Sequence, residues 1–184
     1  MMLGMKKFLI GVAGMPGAGK ATVEEIVKNM GYPVVVMGDE IRDEAKRRGL
    51  KPTPENLGMV MLKLREEEGP YVVAEWCIPK IEKAEGKIVI VDGIRGPHEV
   101  EEFKRHFSSF TLIVIYASPE TRFQRLFKRK RSDDPKGWET FAERDLRELS
   151  VGLGDVIAMA DCMIVNEGAK SQLKKQINEV LEVA

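Results

Sequence analysis

Apolar residues gather in five short runs, Phe8–Val12, Val34–Met37, Ile88–Val91, Leu112–Tyr116 and Cys162–Val165, each bounded by polar or glycine-rich sequence. The runs are mostly β-branched and near-continuous rather than alternating. That is the pattern of strands covered on both faces, as in a parallel sheet flanked by helices. Between the runs the periodicity becomes helical. Val23, Ile26, Val27 and Met30 recur at i, i+3, i+4 and i+7 and predict a helix from Lys20. Ser118-Pro119 heads a helix carrying Phe123, Leu126 and Phe127, and Ser171 starts one carrying Leu173, Ile177, Val180 and Leu181. Thr53-Pro54 and Gly69-Pro70 mark two further helix starts. No repeat, linker or low-complexity stretch interrupts the alternation. The 184 residues are therefore expected to form one α/β doubly wound domain, a five-stranded parallel sheet with helices on both faces. In such a sheet the ligand lies beyond the carboxyl ends of the strands.

Chemistry-bearing residues collect at those ends. The first run leads into Gly14-Met15-Pro16-Gly17-Ala18-Gly19-Lys20-Ala21-Thr22, and the predicted helix follows at once. Strand, glycine-rich turn and helix in this order define a phosphate-binding loop: backbone N–H groups converge on phosphate oxygens and the helix N-terminus adds favourable charge. Lys20 supplies an ammonium for the terminal phosphates, so the expected ligand is a nucleoside triphosphate. Ala21 stands where many such loops place the Ser or Thr that touches Mg²⁺, and Thr22 follows one position later. The second run leads into Gly38-Asp39-Glu40-Ile41-Arg42, the third into Asp92-Gly93-Ile94-Arg95, and the fifth into Asn166-Glu167-Gly168. Asp92 stands where a carboxylate reaches the hydration shell of Mg²⁺ beside a P-loop, and one carboxylate acting through water suffices for that ion. Arg42 and Arg95 can face a second anion across the cleft, which implies an acceptor carrying phosphate. Taken singly, Asp39 also suits a helix N-cap, Asp92 a turn, and Asn166 either base choice or a cap before Ser171.

Composition narrows the classes. Lys+Arg and Asp+Glu are equal at 29 each, so no global field recruits nucleic acid or an anionic membrane. Cys77 and Cys162 match no metal or redox spacing and read as buried thiols of a reducing cytosol. No segment reaches the length of a membrane span. Lys6-Lys7 before an apolar run imitates a signal peptide, but cleavage there would destroy the loop; the protein is expected in the cytoplasm. Six of the ten residues from Arg122 to Arg131 are basic. Phe123 and Phe127 follow core spacing there rather than interleaving for base stacking, so no nucleic-acid surface is read, and Arg122 and Lys128 are assigned to a solvated helix face.

These motifs together resemble those of adenylate kinases and related nucleoside monophosphate kinases. Gly14–Thr22 is similar to their loop, Gly38-Asp39-x-Ile41-Arg42 to their Gly-Asp-x-Leu-Arg, and Asp92-Gly93-Ile94-Arg95 to a shortened Asp-Gly-x-Pro-Arg. Arg131-Ser132-Asp133-Asp134 resembles their lid motif. Over the whole chain the likeness is to a small archaeal family of adenylate-kinase-related P-loop proteins described as ATP-binding. The resemblance implies a helical acceptor insertion over 38–86 and a short lid over 129–147. It implies that Arg125 stacks on the donor adenine and Gly168 meets the base. Arg129, Arg131 and one of Arg144 or Arg147 would clamp the transferring group, oriented by Asp133 and Asp134. It further implies a Mg²⁺ held largely through waters, near Asp92 and Thr22.

Two departures bear on the acceptor. Glu99 occupies the position where adenylate kinases read adenine with Gln, and Arg65 with Glu66-Glu67-Glu68 has no counterpart. The expected function is Mg²⁺-dependent phosphoryl transfer from ATP to a small acceptor, foremost a nucleoside monophosphate. A hydroxyl acceptor such as dephospho-coenzyme A would use Asp39 as base. The alternative from another class is an ATPase switch or assembly factor acting on a protein or RNA partner.

Overall fold

The computed structural model describes residues 7–131 and 134–183. Its five strands form one sheet in the order β2-β3-β1-β4-β5, and every neighbouring pair is parallel. β1 (Phe8–Ala13) runs at the centre and is followed by α1 (Lys20–Asn29) and then β2 (Val34–Val36). Next come α2 (Met37–Arg47), α3 (Pro54–Glu68) and α4 (Val72–Lys83), which together lead to β3 (Ile88–Ile94). After α5 (Pro97–His106), β4 (Ser109–Tyr116) and α6 (Pro119–Arg129), the chain forms α7 (Trp138–Ser150) and α8 (Leu153–Ala158). It ends with β5 (Cys162–Val165) and α9 (Lys170–Val183).

Each predicted strand is present because its side chains are divided between two cores. Leu9, Val89, Val91, Leu112 and Val114 point to one face and pack beneath α2 to α5 and α8. Ile10, Val12, Ile90, Ile113, Ile115 and Ile164 point to the other and pack beneath α1 and α9. Burial on both faces explains why the strands read as continuous rather than alternating. β1 has β3 on one side and β4 on the other, so the chain leaves it at the point where strand order reverses. The crevice at that point is where an open α/β sheet binds its ligand.

Boundaries differ from the sequence reading in instructive ways. β2 stops at Val36 and Met37 opens α2. Asp39 and Glu40 lie in that helix's first turn, where carboxylates stabilise the N-terminal dipole, and Met37 is apolar because it is buried by the helix rather than by the sheet. Asp39 thus sits within the turn and not at the cap. Thr53 and Ser118 cap α3 and α6 through their side chains. Gly69 closes α3 at φ 99°, and α4 begins only at Val72. Cys77 is buried and burial raises its thiol pKa, whereas Cys162, on the edge strand, is only half-buried. Phe127 is 50% exposed, because a helix that turns Leu126 into the core carries the next residue about 100° away. Among the described residues no helix is long and apolar enough to cross a membrane.

Candidate active site

The loop between β1 and α1 is shaped by what presses against it. Gly19 precedes α1 at φ 110°, and a Cβ there would stand 2.2 Å from the Asn166 amide nitrogen. That amide, buried, donates to the Ala18 carbonyl at 2.8 Å. Gly14, at φ 147°, leaves room for only 2.3 Å between a Cβ and the Ile115 carbonyl oxygen. Glycine is therefore required at both points by backbone conformation and by space. No side chain caps α1, and the Lys20 ammonium turns back to the carbonyls of Gly14 and Met15. Burial pushes the Lys20 pKa below its usual range, with Asp92 opposing the shift.

Arg122 overturns its reading as part of a solvated face. It is 4% exposed, forks onto both Asp145 oxygens at 2.8 and 2.6 Å, and donates to the carbonyls of Pro16 and Ala117. One guanidinium thus joins α6, α7 and the P-loop, and its planar fork is what the geometry uses. Arg122→Lys is expected to cost about 2 kcal/mol, the scale of a charge-assisted hydrogen bond lost. In a chain of this size that lowers Tm by roughly 4–8 °C, measurable by calorimetry. Lys128 is exposed, as expected.

Asp92 owes its direction to a bulge. β1 pairs Val12 with Asp92 and Ala13 with Ile94, so Gly93, at φ 102°, is passed over. The bulge turns Ile94 into the core beneath α2 to α5 while Asp92 stays on the P-loop side. Its carboxyl is buried, and Oδ1 has no hydrogen-bond partner. Burial raises its pKa, with Lys20 the main opposing influence. A buried orphan oxygen beside Thr22 and Lys20 is a suitable seat for the water shell of Mg²⁺, a hard cation that needs few protein carboxylates.

Lys20, Thr22, Asp92, Asp39, Arg42 and Arg95 line one cavity of about 560 Å³, within the range of small-molecule sites. Arg125, Arg129, Arg131 and Arg144 close it from the side of α6 and α7. Met15, Ala18, Asn166 and Gly168 do not line it. Asn166 and Gly168 border a separate depression toward α9, and Arg125 donates to the carbonyls of Ala18 and Asn166. Asn166 therefore supports the loop through Ala18 while its own carbonyl holds Arg125. Glu167 ties the same segment to α6, accepting from Ser118 N–H and the Thr121 hydroxyl.

Three arginines of the cavity, Arg42, Arg95 and Arg129, arrive with carboxylates. Arg42 pairs with Asp39, one turn away on α2. Arg129 pairs with both oxygens of Asp134, which also accepts from Arg131 N–H. Burial alone would raise the Asp134 pKa, but these donors outweigh it and hold the carboxyl below its usual range. Asp133 lies outside the described residues. Arg95 donates to both oxygens of Glu148 at 2.7 Å, and Glu148 is 3% exposed. Glu99 stands outside the cavity: buried, it accepts from Arg95 N–H and Gly96 N–H and pairs with Arg65. That explains Arg65, while Glu67 of the acidic run binds Arg48.

A side pocket opens beside Arg95, walled by Arg42, Arg144, Arg147 and Glu148 against Leu57 and Met61. Gly58, inside α3, lies under the Arg147 guanidinium, three of whose atoms would be 3.1 Å from a Cβ. Glycine in a helix interior costs about 1 kcal/mol relative to alanine, and here it admits the arginine. Arg144 thus lines both the main cavity and the side pocket, and Arg147 lines the side pocket. Sequence reasoning missed Glu148; its signal was position, one turn beyond Arg144 on the same helix face.

A family model described as an AAA domain matches residues 13–142. A UPF0200 protein of Methanothermobacter thermautotrophicus is 49% identical over 177 residues, covering 96% of this chain and 90% of that one. A second, from Pyrococcus furiosus, is 49% identical over 176 residues, covering 94% and 95%. The chain belongs to the UPF0200 family. Among solved structures, TT1252 from Thermus thermophilus superposes with a TM-score of 0.65 at 18% identity, covering 96% of this chain and 97% of that one. Shikimate kinase from Acinetobacter baumannii, in complex with shikimate, gives a TM-score of 0.60 at 18% identity and covers 97% and 95%. This UPF0200 chain therefore has a P-loop kinase fold, similar to that of shikimate kinase.

Proposed function

We propose that the protein transfers the γ-phosphoryl group of ATP, with Mg²⁺, to a small-molecule acceptor. The observation that carries this reading is the convergence of Lys20 and Asp92 with arginines from three directions on one cavity of about 560 Å³. Phosphoryl transfer asks for positioning and charge stabilisation more than for covalent chemistry, and this cavity supplies both. Backbone N–H groups of residues 14–22 cradle the donor phosphates. Lys20 leaves the Gly14 carbonyl for the terminal phosphates. Arg129, Arg131 and Arg144 stabilise the charge of the transferring group, and Arg125 flanks the donor base with the 166–168 segment behind it. Asp92 and Thr22 would hold Mg²⁺, which supplies charge neutralisation on the phosphate oxygens when bound.

Residues 38–86 serve as the acceptor insertion and 129–147 as the lid, whose closure excludes water and suppresses ATP hydrolysis. A cytoplasmic location, where ATP is supplied, belongs to the same proposal. A nucleoside monophosphate is one acceptor class, suited by Arg42 and Arg95. A second reading, a hydroxyl acceptor, is favoured by Asp39 and Glu148, two of the carboxylates that line the cavity. Asp39 would then take the hydroxyl proton as the new P–O bond forms and ADP leaves.

An acceptor screen with Mg-ATP tests the reading: nucleoside monophosphates, deoxynucleotides, dephospho-coenzyme A and small hydroxylated or phosphorylated metabolites. ADP release that depends on one of them supports a kinase. Release indifferent to all, but raised by a protein or RNA, overturns the kinase reading in favour of a switch. In the same assay Arg95→Ala is expected to raise the acceptor KM by about 10–100-fold with the ATP KM little changed. It should also lower Tm, because Glu148 is left buried without its partner.

A further inference from the structure

Neither the P-loop nor the lid accounts for Glu148. It is a buried carboxylate on the acceptor side of the cleft, both of whose oxygens are taken by one nitrogen of Arg95. Arg42, Arg144 and Arg147 line the same side pocket. An acceptor site built only to hold a phosphate dianion gains nothing from a carboxylate in its wall.

Nor is Glu148 placed to move aside. α7 ends where Val151 O would lie 3.0 Å from a Cβ on Gly96, and the next residue, Gly152, turns at φ 99° against Pro97. A Cβ on Gly152 would stand 2.6 Å from the Pro97 ring. The other partner is held as firmly: Arg95 N–H and Gly96 N–H both donate to Glu99, which Arg65 fixes in turn. Two close backbone approaches and a buried ion pair therefore keep the 95–97 segment and the end of α7 in one register. The carboxylate is a permanent part of the acceptor wall.

We propose that Glu148 selects the acceptor by charge. It offsets the charge of Arg95, rejects a dianion at that point, and admits a monoanion or a neutral group whose hydroxyl or amine donates to the remaining lone pairs of the carboxylate. The inference rests on the kinase reading and narrows it: of the two acceptor classes, the hydroxyl compound fits. The side pocket, of about 90 Å³, takes a substituent of that compound rather than a whole ligand of the 300–1,000 Å³ class.

Titration calorimetry on the full chain at pH 8 tests this, with the donor site saturated by Mg²⁺ and a non-hydrolysable ATP analogue. Methyl sulfate and methyl phosphate are the probes, a monoanion and a dianion of one shape at a pH above the second phosphate pKa of about 6. The wild type is expected to show no preference for methyl phosphate. Glu148→Gln, which keeps the shape and removes the charge, should bind methyl phosphate at least about tenfold more tightly than the wild type. Its affinity for methyl sulfate should change less, and Glu148→Asp should keep the wild-type selectivity. A wild-type preference of about tenfold or more for methyl phosphate overturns the proposal without recourse to any variant. So does a folded Glu148→Gln protein with unchanged selectivity, or failure of both probes to bind either protein. Failure of the ATP analogue to bind the wild type would instead overturn the kinase reading, so the two are distinguished in one experiment.

Discussion

Lys20→Met is expected to abolish the proposed ATP-dependent phosphoryl transfer while making the protein more, not less, resistant to heat. The activity loss follows from the position of the ammonium. It is the cation that the P-loop itself contributes, held over Gly14 and Met15 at the mouth of α1, and methionine fills the same space without charge. Removal of one fixed charge aimed at a transition state costs on the order of 10²–10³-fold, and the terminal phosphates add ground-state binding to that loss. The gain in stability follows from burial. The folded pKa of Lys20 lies below its unfolded value, so the folded state disfavours the ammonium. For a base with a lowered pKa the penalty is fully present below the folded value and disappears as pH rises through the unfolded one, 10.5. At neutral pH the penalty is in force, and the methionine variant escapes it. Turnover assays beside calorimetry at pH 7 and pH 10 check both halves. The Tm difference should narrow at the higher pH, and retention of wild-type turnover would falsify the assignment of Lys20.

Much of this arrangement is legible in the chain because it is local. The P-loop, the five strands and the helix starts at Thr53 and Ser118 each follow from residues within a few positions of one another. Asp92 could be found because the end of an apolar strand is a local event, and Gly93 marks the bulge that turns Asp92 from Ile94. What escaped were contacts between distant segments. Arg122 with Asp145, Arg65 with Glu99 and Arg95 with Glu148 are separated by 23, 34 and 53 residues. No periodicity encodes such pairs; they exist only once α3, α6 and α7 pack around the rim. A basic run reads as solvated by default, so the most buried arginine in it was assigned to water. The same limit applied to Asn166, whose amide serves Ala18 across 148 positions.

The buried charges of the rim fall into two kinds, and the division is functional. Arg122 is matched by Asp145, and Glu99 by Arg65, with bonds enough to offset their desolvation. Asp92 and Lys20 feel each other's charge, but one Asp92 oxygen has no partner and the Lys20 ammonium, buried, rests on the carbonyls of Gly14 and Met15. Groups of the first kind hold the cleft together. Groups of the second kind are kept ready for what enters it, at a cost in stability that bound nucleotide removes.

Asp92→Asn tests that division most directly. Its folded pKa is raised above the unfolded value, chiefly by burial, even with the attraction of Lys20 included. For an acid shifted this way the ionised form is penalised in the folded state. The penalty is absent below the unfolded value of 3.8 and grows as pH rises toward and through the folded one. Asparagine has nearly the same shape and no charge, so the nucleotide-free variant should melt a few degrees above the wild type at pH 7. The two should converge as pH falls toward 4. Mg-ATP should reverse the order. The wild type gains stability from ligand binding, whereas the variant has lost the carboxylate that would hold the metal's waters and gains less. Turnover should fall by about 10²–10³-fold, with the defect largest at low Mg²⁺. An Asp92→Asn protein that melts below the wild type without nucleotide, or that gains as much from Mg-ATP, would show that Asp92 belongs with the structural pairs and not with the chemistry.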